Sequence, residues 1–253
     1  MASIEQDTVD QEIQDLFQTA TDTGWAWKNK KAKPAKDALR KALFAAQGNR
    51  CAYCRRRIKD MLGHSELDHI LPKEKFGNED RWTSNNVADR KNTGGYEAFT
   101  FEPFNLVLTC KPCNNAKGTY DCRSDRSGEP SPAYVVGDEE YYEWIHPFVH
   151  NYDDHITLLK DLIYQPANGS TKGDAVITAC SLESVGAVER NACELKVKEA
   201  KTIAKAFMLL MEEHEFHSWD ALVAIVHNQF PHETVEKIQE SGTLIKEFWE
   251  AQI

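Results

Sequence analysis

Two pairs of cysteines constrain the fold of this chain more than any other feature of its sequence. Cys51 and Cys54 form one CxxC pair, Cys110 and Cys113 form the other, and 55 residues separate the two pairs. Four thiolates at this kind of spacing wrap tetrahedrally around Zn²⁺ and leave no coordination position open. The total of seven cysteines is odd, which also favours metal over disulfides. We therefore predict a structural zinc site that ties two distant segments together.

Charge is divided unevenly along the chain. The net charge of the 253 residues is -10, yet the segment from Lys28 to Arg126 holds 21 Lys and Arg residues against 12 Asp and Glu residues. This segment therefore carries +9 and the remainder carries -19. A basic segment between acidic flanks favours contact with phosphate, whereas acidic flanks suit solvent or another protein. We predict a nucleic-acid partner for the middle third of the chain.

The composition argues against a membrane protein. No apolar run approaches the roughly 18 residues that a membrane-spanning helix needs. The first residues, MASIEQDTVDQEIQDLF, are acidic and amphipathic and lack the basic and apolar regions of a secretion signal. We therefore expect a cytoplasmic protein with no membrane contact.

The first half of the chain divides into a helical segment and a cysteine-containing segment. Residues 1–50 show helical periodicity, with a second helix that begins near Pro34 and is capped near Gly48. Residues 51–126 contain two short apolar runs, ELDHILP and FNLVLTC, which predict strands. A long polar insertion, residues 77–102, separates these runs.

The second half of the chain, residues 127–253, begins after a boundary that the stretch SGEPSP indicates. Its aromatic segment predicts a small hairpin, and the periodicity that follows predicts one long helix from Val185 to Glu215. Two shorter helices, separated at Pro231, close the chain. The long helix is predicted to turn one apolar stripe inward: Val188, Ala192, Leu195, Ala200, Ile203, Phe207 and Leu210.

Several polar residues lie beside the cysteine pairs in a pattern that suits phosphodiester hydrolysis. This reaction needs an activated water, a cation on the phosphate, and groups that position the phosphate. The imidazole of His69 can accept the proton of the water, and the neighbouring carboxylate of Asp68 can bind a hard cation. Because adjacent strand residues point to opposite faces, we expect a bend near the strand end, helped by Pro72, that brings both side chains to one phosphate.

Four elements occur in one order along this segment: CAYC, LDHILPK, FNLVL and CKPCNNAKG. Together they resemble the motif of the HNH endonuclease family. The resemblance implies an α+β protein, in which a ββα-metal nuclease core with a structural zinc knuckle is embedded in a mainly helical chain. It also implies a hydrolase that cuts DNA with a catalytic Mg²⁺ or Mn²⁺ ion.

The resemblance assigns roles to individual residues. His69 matches the general base, Asp68 the metal ligand beside it, and Asn105 the middle asparagine that braces the loop and the histidine. Asn114 stands where the family often has its last histidine, and an amide oxygen there favours Mg²⁺ or Mn²⁺ over softer ions. Asn115 would point about 100° away on a helix.

Basic residues near these positions are candidates for contact with the nucleic-acid backbone. Charge runs are usually solvated faces, but their concentration around the predicted site favours phosphate contact without sequence readout. Other histidines have simpler explanations, because His64 lies in a turn-like stretch, and His146, His150 and His155 lie in an aromatic segment where packing is expected. The candidate nucleic-acid-binding residues are Arg55, Arg56, Arg57, Lys73, Lys75 and Lys117.

A wider similarity links the chain to the HNH nuclease subunit of Septu-type anti-phage systems, which is also found beside some retrons. It extends over the helix that ends in CAYC, the aromatic segment, and VERNA on the long helix. Glu66 departs from this family, which often has a histidine three residues before the catalytic one. The similarity implies an ATPase partner, with the acidic helical region as the docking surface. Two alternatives stay open: a stand-alone restriction or mobile-element HNH nuclease, and a non-enzymatic zinc-binding adaptor.

Overall fold

The computed structural model describes six stretches of the chain: residues 3–61, 63–77, 86–159, 162–198, 200–213 and 219–250. The chain divides into two compact units, the first made of Met1–Thr157 and Pro166–Ser181, the second of Leu158–Gln165 and Leu182–Ile253. The predicted segments 1–50 and 51–126 both lie in the first unit, and region 127–253 is shared between the units. Helices combine with two small sheets, as expected for the α+β class. Within the described stretches, no helix has the length and apolar character to span a membrane.

Two helices open the first unit. Helix α1 spans Gln11–Asp22, and the side chain of Asp10 caps it by accepting a hydrogen bond from the backbone nitrogen of Ile13 at 2.9 Å. Helix α2 spans Lys33–Ala46 with Pro34 in its first turn. The chain leaves α2 through Gly48, whose φ of +58° is the left-handed conformation that glycine adopts without strain. The second helix and its two predicted end signals are therefore confirmed.

A strand-strand-helix arrangement occupies the centre of the first unit. Strand β1, Ser65–His69, pairs antiparallel with strand β2, Leu106–Cys110, and both predicted strands are confirmed. Helix α4, Lys111–Lys117, starts directly after β2 and packs on both strands. Every residue of β2 is buried because α2 and α4 both pack against it, which explains its uninterrupted apolar run.

The remaining elements of the first unit are short. Helix α3 spans Val87–Arg90, and residues 78–85 of the polar insertion lie outside the described stretches. The aromatic segment packs as expected: His146 is fully buried, its Nε2 lies 2.8 Å from the hydroxyl of Tyr134, and burial lowers its pKa to about 3. Helix α5 spans Thr171–Ala179.

The predicted hairpin corresponds to a two-stranded sheet. Strand β3 spans Ile156–Leu159 and strand β4 spans Ile163–Pro166. These strands lie at the end of the segment whose mixture of aromatic and β-branched residues had predicted a hairpin.

The second unit contains four helices among its described residues, and they correct one prediction. The expected long helix, Val185 to Glu215, is two helices, because the Thr202 hydroxyl accepts a hydrogen bond from the Lys205 nitrogen at 3.2 Å and so caps a new helix start. Residues 214 and 215 lie outside the described stretches. The four helices are α6 at Leu182–Val197, α7 at Ile203–Glu213, α8 at Trp219–Gln229 and α9 at Val235–Glu250.

The inward face of α6 was also predicted wrongly. Val188 and Leu195 are 67% and 68% exposed, whereas Cys193 and Val197 are buried in the core of the unit. Helix α6 carries two apolar stripes on different faces, and periodicity alone does not show which one packs. The expected inward positions on α7 are correct for Phe207, which is fully buried and stacks on a neighbouring ring.

Candidate metal centre and catalytic site

The four cysteines of the two CxxC pairs form a buried cluster. Their sulfur atoms all lie within 4.8 Å of one another, and Sγ of Cys54 is 3.7 Å from Sγ of Cys110. Four sulfurs arranged tetrahedrally at about 2.3 Å from a zinc ion would be separated by about 3.8 Å. The donor chemistry and the spacing therefore fit a structural metal such as zinc, held by Cys51, Cys54, Cys110 and Cys113.

The backbone around the cysteines is fixed from two sides. Gln47, at the end of α2, is fully buried; its amide nitrogen donates to the Leu108 carbonyl at 2.8 Å, and its amide oxygen accepts from the Leu108 nitrogen at 2.9 Å. Arg55 closes the turn after the first pair with a φ of +61° and donates its backbone nitrogen to the Cys51 carbonyl at 3.0 Å. These bonds hold the first cysteine pair against the middle of β2.

His69 lies at the end of β1 in a buried and well-defined position. Its Nε2 is 3.0 Å from the carbonyl oxygen of Thr100, and its ring contacts the indole of Trp27 at a centroid distance of 4.5 Å. Because a carbonyl oxygen only accepts hydrogen bonds, Nε2 carries the hydrogen and Nδ1 is the nitrogen that can take a proton. Burial lowers the pKa of His69 to about 4, so the imidazole is neutral at pH 7.

Asn105 connects two segments that lie beside His69. Its side chain is fully buried and accepts a hydrogen bond from the Leu71 nitrogen at 2.7 Å. Its amide nitrogen donates to the carbonyls of Leu71 and Phe99, both at 3.1 Å. The asparagine thereby joins the chain that follows His69 to the segment that precedes Thr100, and these two segments hold the imidazole.

Asp68 faces the opposite side of β1. Its carboxylate accepts a hydrogen bond from the Tyr53 hydroxyl at 2.7 Å and lies 3.2 Å from the ammonium nitrogen of Lys117. Burial raises the pKa of Asp68, and Lys117 and Tyr53 oppose that shift by stabilising the charged form. The expected bend does not turn Asp68 and His69 together, because β1 stays paired with β2 through His69 and strand alternation separates the two side chains.

Lys117 was predicted to contact nucleic acid, and the structure contradicts this prediction. Its side chain is 1% exposed, and its ammonium group donates to the carbonyl oxygen of His69 at 2.7 Å. A lysine at this position on α4 points into the protein because it neutralises the buried Asp68 carboxylate. In this structure Lys117 therefore does not reach a phosphate at the surface.

Two carboxylates of β1 and two side chains of α4 form a polar interface. Glu66 and Asp68 share one face of the strand, and Asn114 and Lys117 share one face of the helix. The amide nitrogen of Asn114 donates to the Glu66 carboxylate at 2.7 Å, while Lys117 pairs with Asp68. The structure thus places Asn114 beside Glu66, whereas the sequence had predicted that Asn114 would lie beside Asp68. Glu66, Asp68, Asn114 and Lys117 are called the β1–α4 interface below.

The other basic candidates occupy two different places. Lys73 and Lys75 line a cavity of about 550 Å³ whose lining also contains Trp27 and Thr100, the two residues that contact the His69 ring. Among the described residues that line this cavity there is no arginine. Arg55 is half-buried, with its guanidinium over the ring of a tyrosine at 5.7 Å; Arg56 is half-buried and Arg57 exposed.

Sequence reasoning missed three residues that the structure places at the site. Glu66 was noted only as a departure from a family pattern, although its position two residues before Asp68 puts both carboxylates on one strand face. Tyr53 lies inside the first CxxC pair, where no pattern indicates a bond to Asp68. Thr100 acts through its carbonyl group, which leaves no signal in the sequence.

The fold and the site define a class: an α+β protein with a buried four-cysteine cluster that could hold a metal ion, beside a strand-strand-helix arrangement. Over 90 residues the chain is 28% identical to the Septu protein PtuB of Bacillus thuringiensis. The match covers 36% of this chain and 27% of that protein, so the chain spans about a quarter of the length of the relative it matches. No family model matches the chain, and no solved structure matches it.

Proposed function

We propose that the protein is a metal-dependent endonuclease of the HNH type that hydrolyses phosphodiester bonds in DNA. The observation that carries this proposal is the state of His69. Its imidazole is neutral, and its Nε2 hydrogen is committed to the Thr100 carbonyl. A histidine fixed in this tautomer presents Nδ1 as a general base.

In the proposed reaction, Nδ1 of His69 accepts a proton from the attacking water as the oxygen approaches phosphorus. The hydrogen bond from Nε2 to Thr100 supports this step, because the imidazolium that forms keeps a hydrogen-bond acceptor. Asn105 contributes indirectly, since its three bonds to Leu71 and Phe99 fix the segments on both sides of the imidazole. Lys73 and Lys75, at the cavity beside His69, supply positive charge for the substrate phosphates.

The β1–α4 interface supplies oxygen ligands that fit a hard divalent cation. The amide nitrogen of Asn114 donates to the Glu66 carboxylate, so the amide oxygen of Asn114 is the atom that could bind a metal ion. The carboxylates of Asp68 and Glu66 would provide the other oxygen ligands. A bound Mg²⁺ or Mn²⁺ would neutralise charge on the scissile phosphate and assist the leaving oxygen. Because Asp68 and His69 face opposite sides of β1 in the structure, the proposal requires the end of β1 to turn when the ion and DNA bind, so that both side chains reach one phosphate. Lys117 neutralises Asp68 in the structure described here and is the residue that such a cation would compete with.

We further propose that the nuclease acts in an anti-phage defence complex with an ATPase partner. The similarity to the Septu protein PtuB supports a defence role. The acidic remainder of the chain, which carries 28 Asp and Glu residues outside the basic segment, supports a protein contact in preference to a nucleic-acid contact. A stand-alone nuclease is the alternative to this part of the proposal.

Plasmid cleavage by the purified chain tests the catalytic part of the proposal. We expect nicked or linear DNA with Mg²⁺ or Mn²⁺ and intact supercoiled plasmid when neither ion is added. Asn114→Ala should lower the cleavage rate by about 100-fold, because it removes one oxygen ligand and leaves Glu66 without its amide partner. Metal content and thermal stability should stay near those of the unaltered chain, since Asn114 is half-buried and is not a cysteine ligand.

Asn115→Ala is the matched control for this experiment. Asn115 is the next residue on α4, is exposed, and should tolerate the change with normal cleavage. Equal cleavage by the Asn114 and Asn115 variants would remove Asn114 from the proposed metal site. If no protein cuts under any metal condition, with or without its partner, the endonuclease proposal itself is wrong.

Purification from the native host tests the proposed partnership. A tagged full-length chain expressed from its own locus should bring down an ATPase in fixed stoichiometry, and the ATPase should change the cleavage activity of the complex. A chain that purifies alone and cuts DNA at full rate without any added protein would instead establish the stand-alone alternative.

A further inference from the structure

The cavity beside His69 has features that the proposed hydrolysis does not use. Its volume of about 550 Å³ lies within the range of small-molecule binding sites. Two tryptophans, Trp25 and Trp27, contribute to its wall, and Phe101 lies beside them. Hydrolysis of a phosphodiester needs charge and a base, so it gives no reason for three aromatic side chains in this position.

The ring contacts that Trp27 makes are angled and not parallel. Its indole meets His69 at an interplanar angle of 66° and Phe101 at 46°, so neither ring lies parallel to it. Within the described stretches of the chain, no aromatic side chain is stacked in parallel on Trp27. The residue is half-buried, and the ammonium group of Lys36 lies over one face of the ring, 5.0 Å from its centroid. A planar group entering the cavity would therefore stack on the face that Lys36 does not cover.

Positive charge surrounds this aromatic wall. Lys73 and Lys75 line the cavity, and Lys28, Lys30 and Lys31 follow Trp27 directly in the chain and are exposed. Two carboxylates, Glu74 and Glu97, also line the cavity and balance Lys73 and Lys75 in number, with Glu74 ion-paired to Lys73. The positive excess therefore comes from Lys28, Lys30 and Lys31. Aromatic side chains flanked by lysines are the combination that binds single-stranded nucleic acid, through base stacking and phosphate contacts.

We propose that this cavity binds an unpaired nucleotide of the DNA substrate, with the base stacked on Trp27 and the adjoining phosphates on the lysines. The inference rests on the proposed function only in taking nucleic acid as the substrate. A base inside a duplex is stacked on its neighbours and cannot present its face to a side chain within a cavity. The site therefore favours single strands and duplexes with an unpaired nucleotide over fully paired DNA.

Fluorescence anisotropy with the full-length chain in buffer without added Mg²⁺ or Mn²⁺ and without chelator measures binding without cleavage, and leaves the proposed structural zinc in place. The probes are labelled oligodeoxythymidine, a fully paired duplex, and the same duplex with one unpaired thymidine. Trp27→Ala should weaken binding of the first and third probes by roughly 5- to 100-fold, the loss expected for one base stack. Binding of the paired duplex should change by less than about 2-fold, because the lysine contacts remain.

Two further variants separate stacking from folding. Trp27→Leu keeps an apolar side chain against Phe101 but has no aromatic face, so it should reproduce the loss seen with alanine while losing less stability than the alanine variant. Phe76→Ala is the matched control, because Phe76 is 58% exposed beside Lys75 and does not line the cavity. It should bind all three probes normally.

The inference is overturned if Trp27→Leu binds oligodeoxythymidine as tightly as the unaltered chain, or if it loses affinity for all three probes equally. Binding and cleavage are separate measurements, so their failures can be told apart. Plasmid cleavage with no dependence of binding on Trp27 would remove the nucleotide site and leave the endonuclease in place. The expected binding pattern without any cleavage would support the nucleotide site and contradict the endonuclease proposal.

Discussion

Replacement of His69 by alanine is expected to lower the rate of DNA cleavage by about 10²–10⁴-fold, the usual contribution of a general base. The carboxylates nearest to His69 are both ion-paired: Asp68 faces the other side of β1 and pairs with Lys117, and Glu74 pairs with Lys73. The measurement is the single-turnover rate on supercoiled plasmid with Mg²⁺. Circular dichroism should show the normal helix content.

His64→Ala is the matched control for the His69 variant. His64 lies five residues upstream in an exposed turn, so its removal should leave the cleavage rate unchanged. Added imidazole should restore part of the activity of His69→Ala, since the small base can enter the space that the side chain vacates. Cleavage by the His69 variant at the unaltered rate would show that the imidazole is not the base.

Replacement of Cys113 by alanine should have the largest effect on stability. We propose that the cluster holds zinc, and structural zinc contributes roughly 10 kcal/mol or more to folding in small domains. Loss of one thiolate should release the metal and leave three buried cysteines without a common partner. We expect the variant to lack zinc and to unfold at a much lower temperature, with cleavage lost as well. Metal analysis and thermal unfolding provide the measurements.

Cys122→Ala provides the comparison for the zinc experiment. Cys122 is fully buried but lies outside the four-cysteine cluster, and its thiol contacts the carbonyl of Ile70 at 3.6 Å. This variant should keep its zinc and lose only the few kcal/mol that a small cavity costs. Equal stability and equal metal content in the Cys113 and Cys122 variants would contradict a structural zinc site.

The parts of the fold that sequence predicted correctly are those that local chemistry determines. The CxxC spacing brings thiolates together whatever lies between the pairs, and Pro34 and Gly48 mark the two ends of α2 because each has a restricted place in helices. Both strands of the central pair follow from short apolar runs bounded by turn residues. The helix ends and the strands depend on neighbours along the chain, whereas the cysteine cluster joins two distant segments and was predictable from the shared chemistry of its thiolates.

The errors concern the choice of partner between elements. Lys117 and Asn114 were expected to face phosphate and a shared cation, but each pairs with a different carboxylate of β1. Which helix residue meets which strand residue depends on the rotation and height of α4 over the sheet, and no local pattern determines these two quantities. The same reason applies to α6, where two apolar stripes competed and packing selected the one with Cys193.

The bonds of Gln47 have a consequence for how other chains can associate with this protein. A two-stranded sheet usually offers open edges to which a further strand can add. At the middle of β2, both backbone groups of Leu108 are already satisfied by the Gln47 amide, and its carbonyl also accepts from the nitrogen of Ala52 at 2.9 Å. Strand addition at this edge is therefore blocked, which protects β2 from edge-to-edge aggregation and from pairing with a strand of a partner protein.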